Sequence, residues 1–122
     1  MLNHKLLLGV LLCIFIAGFV LAADQPATPG IGKTHTVTLH EQARVGNRVL
    51  PAGDYHVQHV MEGEKHIMVF TGSKGQKSRV ECTMVKLERK AEFDSMEYTT
   101  APNGERILTA ITFRGETFQH EF

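Results

Sequence analysis

Six histidines, His35, His40, His56, His59, His66 and His120, follow the apolar N-terminal segment of this 122-residue chain. Imidazole ligates zinc and copper and ordinarily titrates near neutral pH, so a metal site is the sharpest chemical reading these residues offer. Met61, Met68, Met84 and Met96 add thioethers, although methionine mostly fills cores. The spacing works against the obvious pair. His56 and His59 are three apart, which converges on a helix but puts the rings on opposite faces of a strand. A site would then have to assemble across strands, for instance His56 meeting His66 or His120. Scattered, mostly exposed histidines are the expectation, and no metal ligand is assigned.

Other chemistries fail on spacing. Ser73, Ser78 and Ser95 stand in no nucleophile elbow, and Glu92, Asp94 and Glu97 read as the solvated side of a strand and its approach. "GSKGQKS" at 72–78 holds glycines and a lysine but lacks the Gly-Lys-Ser/Thr ending, and a strand-like run follows where a phosphate loop needs a helix. No catalytic or cofactor-binding residue is assigned, and the chain is read as not an enzyme. Lys74, Lys77, Arg79, Lys86, Arg89 and Lys90 form a local basic excess diluted by Glu81 and Glu88. It reads as a solvated edge that discourages edge-to-edge pairing.

The elements that would position these residues begin after a leader. Residues 1–22 combine "MLNHK", the apolar run "LLLGVLLCIFIAGFVL" and a small-residue ending at Val20-Leu21-Ala22, the signature of a signal peptide cut after Ala22 or Ala23. Cys13 follows Leu12 in mid-run, which disfavours lipoprotein processing. The chain has 13 Lys and Arg against 13 Asp and Glu, and loss of Lys5 with the leader leaves one net negative charge. That balance gives no electrostatic case for nucleic acid. Only Cys82 would remain after the cut, so no intrachain disulfide is expected, and it reads as a small buried hydrophobe.

Residues 23–33, with "DQPATPGIGK", read as a flexible linker. From 34 to 122 the apolar period is two, which means strands. "THTVTLHE" alternates Val37 and Leu39 with polar residues. In "RVLPAGDYHVQHV" the Pro51-Ala52-Gly53 stretch makes a corner that ends one strand and starts another, after which Tyr55 and Val57 face one way and Asp54, His56 and Gln58 the other. "MEGEK" turns into "HIMVF", an apolar run suited to a central strand covered on both faces. In "KSRVECTMVKL" the phase changes from Val80, Cys82 and Met84 to Val85 and Leu87, and a β-bulge near Met84 would explain it. Residues 85–93 could instead hold a helical turn or two. "APNGER" is a hairpin signal, and "ILTAITF" with "ETFQHEF" closes the chain as a further hairpin around Arg114-Gly115. The expected fold is all-β, a single antiparallel sandwich or small open barrel of about seven strands. Short runs and the absence of Trp argue against a membrane-spanning barrel, so no membrane insertion of the mature chain is expected.

Taken together, "LPAG-x-Y-x-V", the central "I-x-V-F" strand and "L-T-A-I-T-F-x-G-E" with a final phenylalanine resemble a family of small uncharacterised exported bacterial proteins, from about Val37 to Phe122. The resemblance implies export and a compact β-domain, and no activity or site. A narrower likeness, confined to the corner, is to prealbumin-like surface modules, some of which carry a Lys to Asn/Asp isopeptide bond. No Asn or Asp lies in the final strand here to make one. The resulting expectation is a periplasmic or secreted, non-enzymatic domain that binds or supports something at the cell envelope. The alternative is a small-ligand or metal carrier built on a β-barrel.

Overall fold

Residues that alternate apolar and polar at period two cannot bury their apolar side as a helix, but they can as a pleated sheet. In the computed structural model, which describes residues 32–122, that is their form. The leader at 1–22 and all but the end of the 23–33 linker lie outside the described residues. The strands are β1 (Thr34–Leu39), β2 (Ala43–Val45), β3 (Arg48–Leu50), β4 (Gly53–Glu62), β5 (Lys65–Gly72), β6 (Lys77–Lys86), β7 (Ser95–Thr100), β8 (Arg106–Thr112) and β9 (Phe118–Glu121). The described residues contain no helix, and the fold is all-β.

They make one mixed sheet, not closed, in which pairing runs β1-β4-β5-β6-β9-β8 and continues from β8 to both β2-β3 and β7. A strand has two edges. Along β8, β7 takes one edge from Arg106 to Thr112, while the other is divided between β9 at Ala110–Thr112 and β2 at Ile107 and Leu108. β6 makes the sheet turn: its first half pairs with β5 and its last four residues pair with β9. The far edge therefore returns to the near one. His35 on β1 stacks on Phe113, just past β8, with ring centroids 3.8 Å apart, and the buried side chains of both halves form one cluster.

Four sequence expectations change. There are nine strands rather than about seven: the strand that ends at the Pro51 bend is β3, and β2, three residues long, is too short for a two-residue period to show. The sheet is not wholly antiparallel, since β2 runs parallel to β8 through Arg44↔Ile107 and Val45↔Leu108, a pairing more than 60 residues apart that no local pattern reveals. β6 keeps its phase through Met84 and Val85 is exposed; the bulge lies instead opposite Glu97/Tyr98, where β8 carries Thr109 as the extra residue. Its hydroxyl donates to the Glu97 carbonyl at 3.1 Å. Finally, residues 87–93 form no helix. The amides of Leu87 and Ala91 donate to Thr117 O and Glu116 O at 2.8 and 3.0 Å, and so short a segment would nucleate a helix poorly on its own.

The corner at Pro51 is latched by Tyr55, whose hydroxyl donates to the Pro51 carbonyl at 2.6 Å. Its ring meets Phe70 edge-on with centroids 6.3 Å apart, an arrangement the aromatic quadrupole favours. β5 is buried at four successive positions, Ile67 to Phe70, as its apolar run implies. The β2-β3 turn has no room to spare: at Gly46, with φ +58°, an added Cβ would lie 2.8 Å from Val80 Cγ1.

Two stability measurements check this packing by urea denaturation. Tyr55→Phe should cost about 1 kcal/mol, the usual net worth of one hydrogen bond. Gly46→Ala should cost about 1 kcal/mol more than Gly104→Ala, since both alanines suffer positive φ but Gly104 has nothing within 4 Å of the new Cβ. Equal costs would show that the turn does not press on β6.

Candidate functional site

The phase set by Tyr55 and Val57 carries on to His59, and that side chain is drawn inward with them: it is 3% exposed. On β9, His120 is 1% exposed between Phe118 and Phe122 in the same alternation. His66 on β5 shares the inner face with Met68 and Phe70 and is half-buried. The expectation of mostly exposed histidines therefore fails at His59 and His120. His40 and His56 are exposed. His56 meets Thr36 Oγ1 at 3.4 Å and joins neither His66 nor His120, while His59, three residues on, turns to the opposite face as strand geometry requires.

These rings form a chain through the interior. His59 Nε2 lies 2.8 Å from His66 Nδ1, one donating and the other accepting. The His59 ring stands edge-on to His120, centroids 5.2 Å apart. His120 Nε2 donates to Glu116 Oε1 at 2.9 Å, and His35 Nε2 reaches Glu116 Oε2 at 3.2 Å. Phe113 packs against both His35 and His120. His59 Nδ1 and His120 Nδ1 are buried without a partner.

Burial, followed by the neighbouring His120 and His66, pushes the His59 pKa down to about 4, so the ring is neutral across the ordinary pH range. Burial pushes Glu116 the other way, but its hydrogen bonds and charge interactions with His120 and His35 outweigh burial and hold the carboxyl below its usual range. Burial, then Glu81, pushes the Cys82 thiol up to about 11. It is an unpaired, buried thiol, not an activated one.

As chemistry, the His120–Glu116 pair has the form of a general base with its orienting carboxylate, but it lies inside the packed core. The serines stand elsewhere: Ser73 in the β5-β6 turn, Ser78 at the start of β6, and Ser95 at the start of β7 beside a groove. That groove, about 240 Å³, runs between β1 and β7 over Met96, Ile111 and Phe113. Asp94, one of the three acids singled out, accepts the Arg114 amide at 2.7 Å and so braces a loop. The basic cluster is not one patch, because Lys77 and Lys86 open and close β6, about 30 Å apart at strand rise, and Arg79 is ion-paired with Glu62. Among the described residues, no three His, Cys, Asp or Glu side chains are placed to hold a metal ion.

No known protein family, curated protein or solved structure matches the chain. What sequence reasoning missed is the histidine cluster. The signal was present in the parity Tyr55, Val57, His59 and in Phe118, His120, Phe122.

The depressed His59 pKa sets a pH dependence with a definite sign. The folded ring stays neutral to about 4, whereas an unfolded histidine takes up a proton below about 6.5. The stability gained is complete above 6.5 and is lost as pH falls from 6.5 toward 4, by about 2 kcal/mol at pH 5. Protonation of Glu116 extends the loss below 4.5. Urea midpoints at pH 7.5 and 5.0 should differ accordingly in the wild type and much less in His59→Leu. An unchanged wild-type midpoint would contradict a neutral buried ring.

Proposed function

We propose that this chain is an exported, non-enzymatic β-domain acting at the cell envelope, in the periplasm or outside the cell, as a binding or structural module. The observation that carries the reading is the apolar interior, in which buried side chains from both ends of the sheet form one cluster. Leu39, Met68, Phe70, Leu108, Ile111 and Phe113 are fully buried and share the inner face with the buried His120–Glu116 pair. A catalytic base must come within about 3 Å of the proton it takes, and His120 is sealed from any reacting group. The N-terminal pattern of charge, apolar run and small residues supports export. The described residues include no helix long and apolar enough to cross a membrane, and the near-neutral charge supports partners other than nucleic acid. The motif resemblance to small exported bacterial β-proteins points the same way.

A second reading, a carrier of a metal or small ligand, draws on one specific observation: imidazoles gathered at one end of the interior, two with an unpartnered nitrogen.

Expression with the native N-terminus, osmotic-shock fractionation and intact-mass measurement test the first reading. A chain beginning at Ala23 or Asp24, recovered from the periplasmic or extracellular fraction, is the expected result. Uncut protein confined to the cytoplasm would remove the reading.

A further inference from the structure

β4 ends on His59-Val60-Met61 before its last residue, and β5 opens on His66-Ile67-Met68 after its first. In a strand, residues two apart share a face, so each triplet presents its histidine and its methionine together. The antiparallel register then sets His59 opposite Met68 and Met61 opposite His66. Four side chains thus occupy the corners of one rectangle on the inner face. Its sides are about 5 Å across the strands and about 7 Å along them. One diagonal is already closed, with His59 Nε2 and His66 Nδ1 2.8 Å apart.

We propose that this quartet, His59, Met61, His66 and Met68, is a binding site for a single cuprous ion, with two imidazole nitrogens and two thioether sulfurs as its donors. The two histidines alone fall short of a ligand set built from His, Cys, Asp or Glu, and the thioethers complete it. Thioether donors are soft and uncharged, which suits Cu(I) and disfavours zinc, magnesium or calcium. A monovalent ion also suits the site, because the described quartet holds no carboxylate and Met68 and His59 are buried, and a divalent charge there would be the costlier to desolvate. Binding costs the rings one shared hydrogen bond, since His59 Nδ1 has no partner to lose.

The site has a way in. Met61 is 37% exposed, and His66 lines a depression of about 640 Å³ whose other walls include Glu64, Lys65, Glu81, Cys82 and Met84, so the quartet is reached through His66 and Met61. Cys82 stands opposite His66 on β6 and is the competing soft donor that the test must separate.

The inference deepens the carrier reading and rests on it. The processed chain, with its leader removed, would be titrated anaerobically with Cu(I) against a coloured cuprous chelator at pH 7.5. One equivalent is expected, with sulfur and nitrogen scatterers in the copper X-ray absorption spectrum. Met61→Leu with Met68→Leu, which keeps core volume, should weaken binding at least tenfold, and so should His66→Gln, while Cys82→Ser should leave it within about twofold. Circular dichroism of each variant confirms the fold. Absence of wild-type binding, indifference to the double methionine substitution, or loss with Cys82→Ser alone would each overturn the assignment. Zinc bound at the same histidines without Cu(I) would retain a carrier but sink the cuprous site, and neither result bears on export.

Discussion

Among the described residues, most strands carry an apolar face that must be kept from water, and what covers it is the same sheet, bent round. That requirement organises the rest. β6 passes from β5 to β9, which lets Val37 and Leu39 from one end of the sheet share a core with Leu108, Ile111 and Phe113 from the other. The described residues contain one cysteine and no disulfide, so no crosslink restrains the unfolded state among them, and stability falls to packing. Phe113 joins the two ends of the sheet in that packing, because it lies against His35 from the first strand and His120 from the last.

Imidazole rings belong in such a core only at the end where they can satisfy one another. An unpartnered buried polar group costs about 1–3 kcal/mol, and the interior limits that cost by linking His66 to His59 and by giving Glu116 to both His120 and His35. Two ring nitrogens are still left over. An interior selected for stability alone would have placed leucine or phenylalanine there, and thioethers at Met61 and Met68 would then carry no chemical sense beyond filling space. Gathering nitrogen and sulfur on one hairpin face is the departure from plain packing, and departures of this kind are where binding is to be sought.

Much of the fold was legible because its signals are local. The corner at Pro51, the apolar run of β5 and the hairpin turns at Gly63 and Gly104 all depend on residues within reach of one another. β2 was not legible, being three residues long and held by a parallel contact with β8. The apparent change of phase at Val85 misled for a related reason: Val85 is simply an exposed apolar residue, and exposure at a single valine needs no bulge. The histidine cluster was missed by weighing residue type over position. His59 follows Tyr55 and Val57 in strict alternation, and that beat, rather than the polarity of imidazole, decides which way the ring points.

The same beat ties the corner to the candidate site. Side chains on a strand change faces with every residue, so a slip of one position in β4 would turn His59 and Met61 out to solvent and bring Val60 in. The two-residue turn at Gly63-Glu64, which closes the Glu62↔Lys65 pair, sets that register, and Tyr55, bonded to the Pro51 carbonyl, anchors the other end of β4. The bend in "LPAGDYHV" is thus architecture: it anchors the start of the strand whose alternation turns His59 inward beside Tyr55 and Val57. A cation held by His59, Met61, His66 and Met68 would in turn favour the one register that assembles them, since a ligand that binds only the folded arrangement stabilises it.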